Sequence, residues 1–123
     1  MDKKININEA LNGVTKLFTP RIIGEVDDIY VKLAKVKGDD VPWHSHDNED
    51  EMFYILSGSL VMQQKGVDDF TMSEGDLFVV GKGVMHRVYS KDECHLMLVE
   101  SKESKHTGDV ESDITKKVGE QRY

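Results

Sequence analysis

From Ile29 onward the chain is a succession of short apolar runs, each closed by a glycine-centred break. Ile29, Val31 and Leu33 alternate with Tyr30, Lys32 and Ala34, and Gly38-Asp39-Asp40 ends that run. Residues 51–56 and 59–64 form two more, joined across Ser57-Gly58. Phe70-Thr71-Met72 stops at Ser73-Glu74-Gly75-Asp76. Residues 77–80 and 84–89 flank Gly81-Lys82-Gly83, and residues 94–100 close the set. Apolar residues with a period of two lie on one face of a half-buried strand. Short strands with turn signals every eight to twelve residues or so build an antiparallel sandwich or barrel. The pattern therefore predicts an all-β chain: a single antiparallel β-barrel or jelly roll over residues 29–100, a short N-terminal lead-in over 1–28, and a charged C-terminal tail over 101–123.

In the lead-in, Ile5 and Ile7 fit a short edge strand, and Asn8-Glu9-Ala10-Leu11 fits one helical turn capped by Asn8 and ended by Asn12-Gly13. A barrel edge needs cover. The lead-in is therefore expected to act as an arm that pairs with a second subunit's sheet, giving a homodimer. In the tail, Thr107-Gly108-Asp109-Val110 is the segment expected to dock on the body.

A chain of 123 residues is the size of one domain with a real core. Its single cysteine, Cys94, excludes an intrachain disulfide and fits a reducing, cytoplasmic compartment. Within Cys94-His95-Leu96-Met97-Leu98-Val99 it reads as a packed thiol. No segment approaches the roughly 20 apolar residues a membrane helix needs, and the N-terminus lacks the apolar core of a signal peptide. A formal net charge of -7 disfavours nucleic acid and anionic membranes as partners. A small-molecule ligand or substrate remains.

The chemistry concentrates in Gly38-Asp39-Asp40-Val41-Pro42-Trp43-His44-Ser45-His46-Asp47-Asn48-Glu49-Asp50-Glu51. Residues i and i+2 of an extended segment share a face, so His44 and His46 can aim at one point. Glu51 can add an oxygen after a short acidic loop. Such donors suit a divalent first-row metal that keeps positions open. A solvated acidic loop accounts for Asp39, Asp40, Asp47, Glu49 and Asp50. It accounts less well for Glu51, which opens the apolar run 52–56.

These spacings resemble the two motifs of the cupins. Gly38, His44, His46, Glu51 and Gly58 fill every fixed position of the first motif, and Gly75, Gly83 and His86 match the second. Gly81 stands where the second motif has proline, and Ser90 where it has asparagine. The resemblance implies a small barrel with one divalent transition metal inside (Fe, Zn, Ni, Mn or Cu), held by His44, His46, Glu51 and His86. An octahedral ion so held keeps two adjacent positions for a chelating substrate or for dioxygen.

By strand parity, Phe53 and Ile55 share the face of Glu51, and Val88 and Ser90 share that of His86. Together with Leu77 and Val79 they are expected to wall the cavity. His95 and His106 read as structural and surface histidines.

The resemblance implies a metal-dependent enzyme acting on a small organic molecule, of dioxygenase or isomerase type, with Glu51 as candidate proton acceptor. The alternative is a non-catalytic small-molecule binding or sensing module. A sugar-phosphate substrate fits poorly, because Arg87 is out of phase with His86 and Lys82 lies in a turn.

Overall fold

The computed structural model describes residues 3–103. One short helix, α1 (Ile7–Asn12), precedes seven strands: β1 (Arg21–Val26), β2 (Ile29–Gly38), β3 (Glu51–Ser57), β4 (Ser59–Gln64), β5 (Phe70–Ser73), β6 (Leu77–Val80) and β7 (His86–Ser101). Every pairing is antiparallel. One layer runs β1-β2-β7-β3-β6, and β4 with β5 attaches through β7. The architecture is the expected all-β barrel or jelly roll.

β7 organises the molecule. The sequence pattern suggests two runs, 84–89 and 94–100, but the backbone stays extended through the polar Ser90-Lys91-Asp92-Glu93. The Ser90 hydroxyl donates to the Ser59 carbonyl (2.9 Å) and also contacts the Asp92 carbonyl, which secures the crossing. The first half of β7 pairs with β4 (Gln64↔His86 to Val61↔Tyr89). The second half lies between β2 and β3. Its alternate residues Cys94, Leu96 and Leu98 point inward with Ala34, Val36 and Phe53.

Gly58, between β3 and β4, has φ +83°, and a Cβ there would lie 2.9 Å from the Glu93 carbonyl oxygen and 3.1 Å from Cys94 Cα. Only glycine meets both conditions without strain.

The lead-in departs from expectation. Ile5 and Ile7 do not form a strand. Ile7 is the first residue of α1, and the cap is Asn6 rather than Asn8: its side chain accepts from the Glu9 amide at 3.0 Å. The reason is the helical spacing of Ile7, Ala10 and Leu11, which puts all three against Ile23 and Leu33 on the outer face of the sheet. The strand of this region is instead β1, which extends the sheet beyond β2.

The phase expected for β6 is also reversed. Leu77 and Val79 are 55% and 47% exposed, while Val80 is buried and Phe78 packs on the inner core. Register explains it: β3 pairs Glu51 with Val80 and Phe53 with Phe78, and residues directly opposite on antiparallel strands share a face.

The expectations for His106 and for Thr107 to Val110 lie outside the described residues. Among the described residues no helix is long and apolar enough to cross a membrane.

Candidate metal centre

Three loops and strands bring the site together. His44 and His86 form a two-residue antiparallel bridge, with His44 N–H donating to the His86 carbonyl at 2.9 Å and the reciprocal bond at 2.8 Å. The Gly83 amide donates to the His46 carbonyl at 2.8 Å, and the Lys82 amide to Asp50 Oδ1 at 2.9 Å. The glycine turn before β7 is thereby strapped to the acidic loop before β3. Glu51 enters from the first position of β3. Closure of the sheet thus makes neighbours of residues distant in sequence.

All four side chains are buried. One candidate donor atom from each of His44, His46, Glu51 and His86 lies within 4.8 Å of the other three. Glu51 Oε1 is 3.3 Å from His46 Nε2 and 3.5 Å from His86 Nε2. Two rings are fixed from behind: His44 Nδ1 meets the Pro42 carbonyl at 2.8 Å and His86 Nδ1 the Val84 carbonyl at 2.9 Å. A carbonyl only accepts, so each Nδ1 carries a hydrogen and Nε2 is the ring atom left to face a ligand. His44 Nε2, His86 Nε2 and Glu51 Oε1 are buried with no hydrogen-bond partner. An unsatisfied buried polar atom costs about 1–3 kcal/mol, and a divalent cation would satisfy these together. The donor set, three imidazoles and one carboxylate, fits such an ion.

The electrostatics favour ligand-competent forms. Burial pushes the His44 imidazole down to about 4, so it is neutral at physiological pH. Burial alone would raise the Glu51 carboxyl, but contacts with His46, His86 and Glu100 outweigh it and hold the group well below the usual carboxylate range.

Behind Glu51 sits a feature the sequence reading missed. Glu100 on β7 is directly opposite Glu51 on β3, and both are buried. Burial first, and the Glu51 charge second, hold the Glu100 carboxyl well above its ordinary value. Lys32 Nζ lies 2.8 Å from Glu100 Oε1, with neither side chain exposed. The buried Tyr30 covers this pair, its ring centroid 5.9 Å from Lys32 Nζ. Parity carried a usable signal, since Lys32 is in phase with the inward Ala34 and Val36, and Glu100 with Leu96 and Leu98.

A cavity of about 40 Å³ opens on His44 and Glu51, room for a few water-sized groups at roughly 10–15 Å³ each. Its apolar wall includes Phe18, Pro20, Val36, Phe53, Val88 and Leu98. Phe53 and Val88 are therefore where parity put them. Ile55 and Ser90 are buried but elsewhere, Ile55 in the packed core and Ser90 at the β7 crossing. Leu77 and Val79 face outward, as the register of β6 requires. Phe18 and Pro20 come from the lead-in. Phe18 holds a left-handed φ of 57° and its amide donates to the Lys35 carbonyl at 2.8 Å. Nothing in the local pattern around Leu17-Phe18-Thr19-Pro20 singles it out as a wall residue.

The family model of the cupin domain matches residues 34–100. The uncharacterized protein YdbB of Bacillus subtilis (strain 168) is 31% identical over 104 residues, 85% of this chain and 91% of that protein. A cupin-2 domain containing protein from Shewanella frigidimarina superimposes with a TM-score of 0.75 at 34% identity, covering 79% of this chain and 93% of that one. Hydroquinone 1,2-dioxygenase from Sphingomonas sp. TTNP3, with 4-hydroxybenzoate bound, gives a TM-score of 0.72 at 20% identity over 80% of this chain and 32% of its own, a likeness of fold. The chain belongs to the cupin family. Within it, this is a barrel whose four-residue cluster could hold a metal ion.

Proposed function

We propose that the chain is a metal-dependent enzyme of dioxygenase type, acting on a small, uncharged, largely apolar molecule that carries a hydroxyl or carbonyl group. The observation that carries this reading is the coincidence of two features. Three inward polar atoms without hydrogen-bond partners converge at one point, and the cavity that ends there is otherwise apolar. His44, His46, Glu51 and His86 would hold the ion. When bound, a divalent first-row metal supplies Lewis acidity and, if redox-active, a route for electrons to dioxygen.

The chain's own residues do the rest. Phe18, Phe53 and Val88 exclude water and favour a flat apolar ligand. Glu51 lines the cavity and is the carboxylate within reach of a hydroxyl on a ligand seated there. Among the described residues no lysine or arginine lines the cavity, which argues against a phosphorylated sugar and hence against the isomerase variant.

The test is elemental analysis of the purified protein, then oxygen uptake with iron- or manganese-loaded protein on hydroquinones, catechols and diketones. Uptake that disappears in His86→Ala supports the proposal. Absence of bound metal in wild type refutes it. The nearly all-apolar wall favours one second reading, a binding or sensing module. That reading predicts saturable binding of 4-nitrophenol with no turnover.

A further inference from the structure

Residues 39–50 carry His44 and His46 and lie in no strand, between the end of β2 and the start of β3. The two-residue bridge to His86 ties this segment to β7 from within the backbone. A second fastening sits on the outer face. Consecutive side chains of an extended segment point to opposite faces, so Trp43 turns outward where His44 turns in, and Arg87 outward where His86 turns in. An antiparallel bridge that pairs His44 with His86 also sets Trp43 opposite Arg87. The Arg87 guanidinium carbon lies 4.9 Å from the Trp43 ring centroid. On its other side Arg87 is opposite Gln63 of β4, and its Nε donates to Gln63 Oε1 at 2.7 Å. The Gln63 amide donates in turn to Asp69 Oδ2 at 2.9 Å. Lys65, from the turn after β4, brings its ammonium to 4.7 Å from the same tryptophan ring. One aromatic ring is thus held by two cations, on the face opposite the His44–His86 pair. Trp43 and Arg87 are only half-buried, and Trp43 belongs to neither apolar core. The barrel's packing does not demand this arrangement.

Resting on the metal-centre reading above, we infer that Trp43 and Arg87 are positioning residues: their outer contact clasps the two backbones that carry His44 and His86, and so holds those imidazoles at the separation that lets them share one ion. Both point away from the ion and touch no ligand of it. The guanidinium stays charged at any working pH, so the clasp does not depend on a titration. It needs an aromatic face at position 43 and a cation at position 87. A phenyl ring supplies the face; a leucine side chain does not. Without the clasp, the ion itself must order residues 39–50 when it binds, and the lost contacts reappear as lost affinity.

The test compares wild type, Trp43→Leu, Trp43→Phe, Arg87→Met, Tyr89→Ala and His46→Ala, using cobalt(II) and zinc(II) as probes. Affinity is read by competition with a chelator, and coordination by the visible absorption of the cobalt-loaded protein. Circular dichroism and a urea midpoint of the metal-free protein verify folding, and Arg87→Met carries the test if Trp43→Leu does not fold. Trp43→Leu is expected to bind about 5- to 30-fold more weakly, the equivalent of two half-exposed cation–aromatic contacts, with a shifted cobalt spectrum. Arg87→Met removes one of the two contacts and is expected to move both readouts the same way by less. Trp43→Phe should stay within a few-fold of wild type with the wild-type spectrum, a rescue that ties the effect to the aromatic face. Tyr89→Ala, exposed two residues further along the same face of β7, should bind as wild type does. If folded Trp43→Leu and Arg87→Met lower only the urea midpoint and keep wild-type affinity and spectrum while His46→Ala loses binding, this inference falls and the metal centre stands. It falls also if Tyr89→Ala weakens binding as much as Trp43→Leu. If wild type binds neither ion, both fall.

Discussion

Removing the Lys32 charge alone should be among the most damaging single changes in this barrel. Lys32 Nζ lies 2.8 Å from Glu100 Oε1 with neither side chain exposed, and it offsets the single negative charge that Glu51 and Glu100 carry between them. Much of that attraction compensates for the lost hydration of the buried groups. Without the ammonium, the facing carboxyls of Glu51 and Glu100 hold one proton and one negative charge between them, with no cation beside them. Breaking one partner from a buried pair costs about 3–5 kcal/mol. Lys32→Met keeps the apolar stem, so packing changes little and the loss is electrostatic. For a domain of this size it corresponds to a fall in Tm of more than roughly 12 °C. The assay is urea and thermal unfolding of metal-free protein in chelator, followed through Trp43. Lys32→Met/Glu100→Leu should recover part of the loss, because it also removes the buried carboxyl that faces Glu51 and leaves the Glu51 charge beside His46 and His86. A Lys32→Met protein within about 1 kcal/mol of wild type, well under the 3–5 kcal/mol of a broken pair, would refute the reasoning. So would a double variant worse than the single.

Three further outcomes are expected. Gly58→Ala should destabilise by about 1–2 kcal/mol from its φ of +83° alone, and by more once the close contact with the Glu93 carbonyl is counted; denaturant midpoints measure it. Metal-free protein should lose stability as pH falls from about 6.5 to about 4: the folded state holds the His44 imidazole neutral through burial while the unfolded chain takes up the proton first, so the contribution is fully present above 6.5. The difference is about 3 kcal/mol, and a urea midpoint that stays flat across that window would count against it. Cys94, buried and pushed up to about 11 by burial, should resist thiol reagents at neutral pH in the folded protein and react once unfolded; titration with a chromogenic disulfide distinguishes the two.

The strands were legible because alternation survives in residues 51–64 and 94–100, and the cluster because His44, His46 and Glu51 sit within one short segment and the resemblance to the second cupin motif adds His86. What escaped was phase and continuity. Leu77 and Val79 look as apolar as Phe78 and Val80, so local pattern cannot say which pair faces in; only the pairing of Glu51 with Val80 decides. β7 reads as two strands because four polar residues interrupt it, yet backbone pairing does not depend on side-chain polarity. The lead-in was misjudged because Asn6 and Asn8 are equally good caps in isolation, and burial of Ile7, Ala10 and Leu11 against the sheet chose between them. Lys32 and Glu100 went unremarked because charged residues near strand ends usually sit in water.

The length of β7 bears on how the four-residue cluster is assembled. Three of the four donors precede residue 52, but none of them can close a coordination sphere until the chain has emerged through His86 and bridged back to His44. The same strand carries Glu100 near its other end, against Glu51. A metal ion held by all four side chains would therefore need that strand docked. Conversely, peeling the strand away would break up the cluster and separate the two layers in a single step.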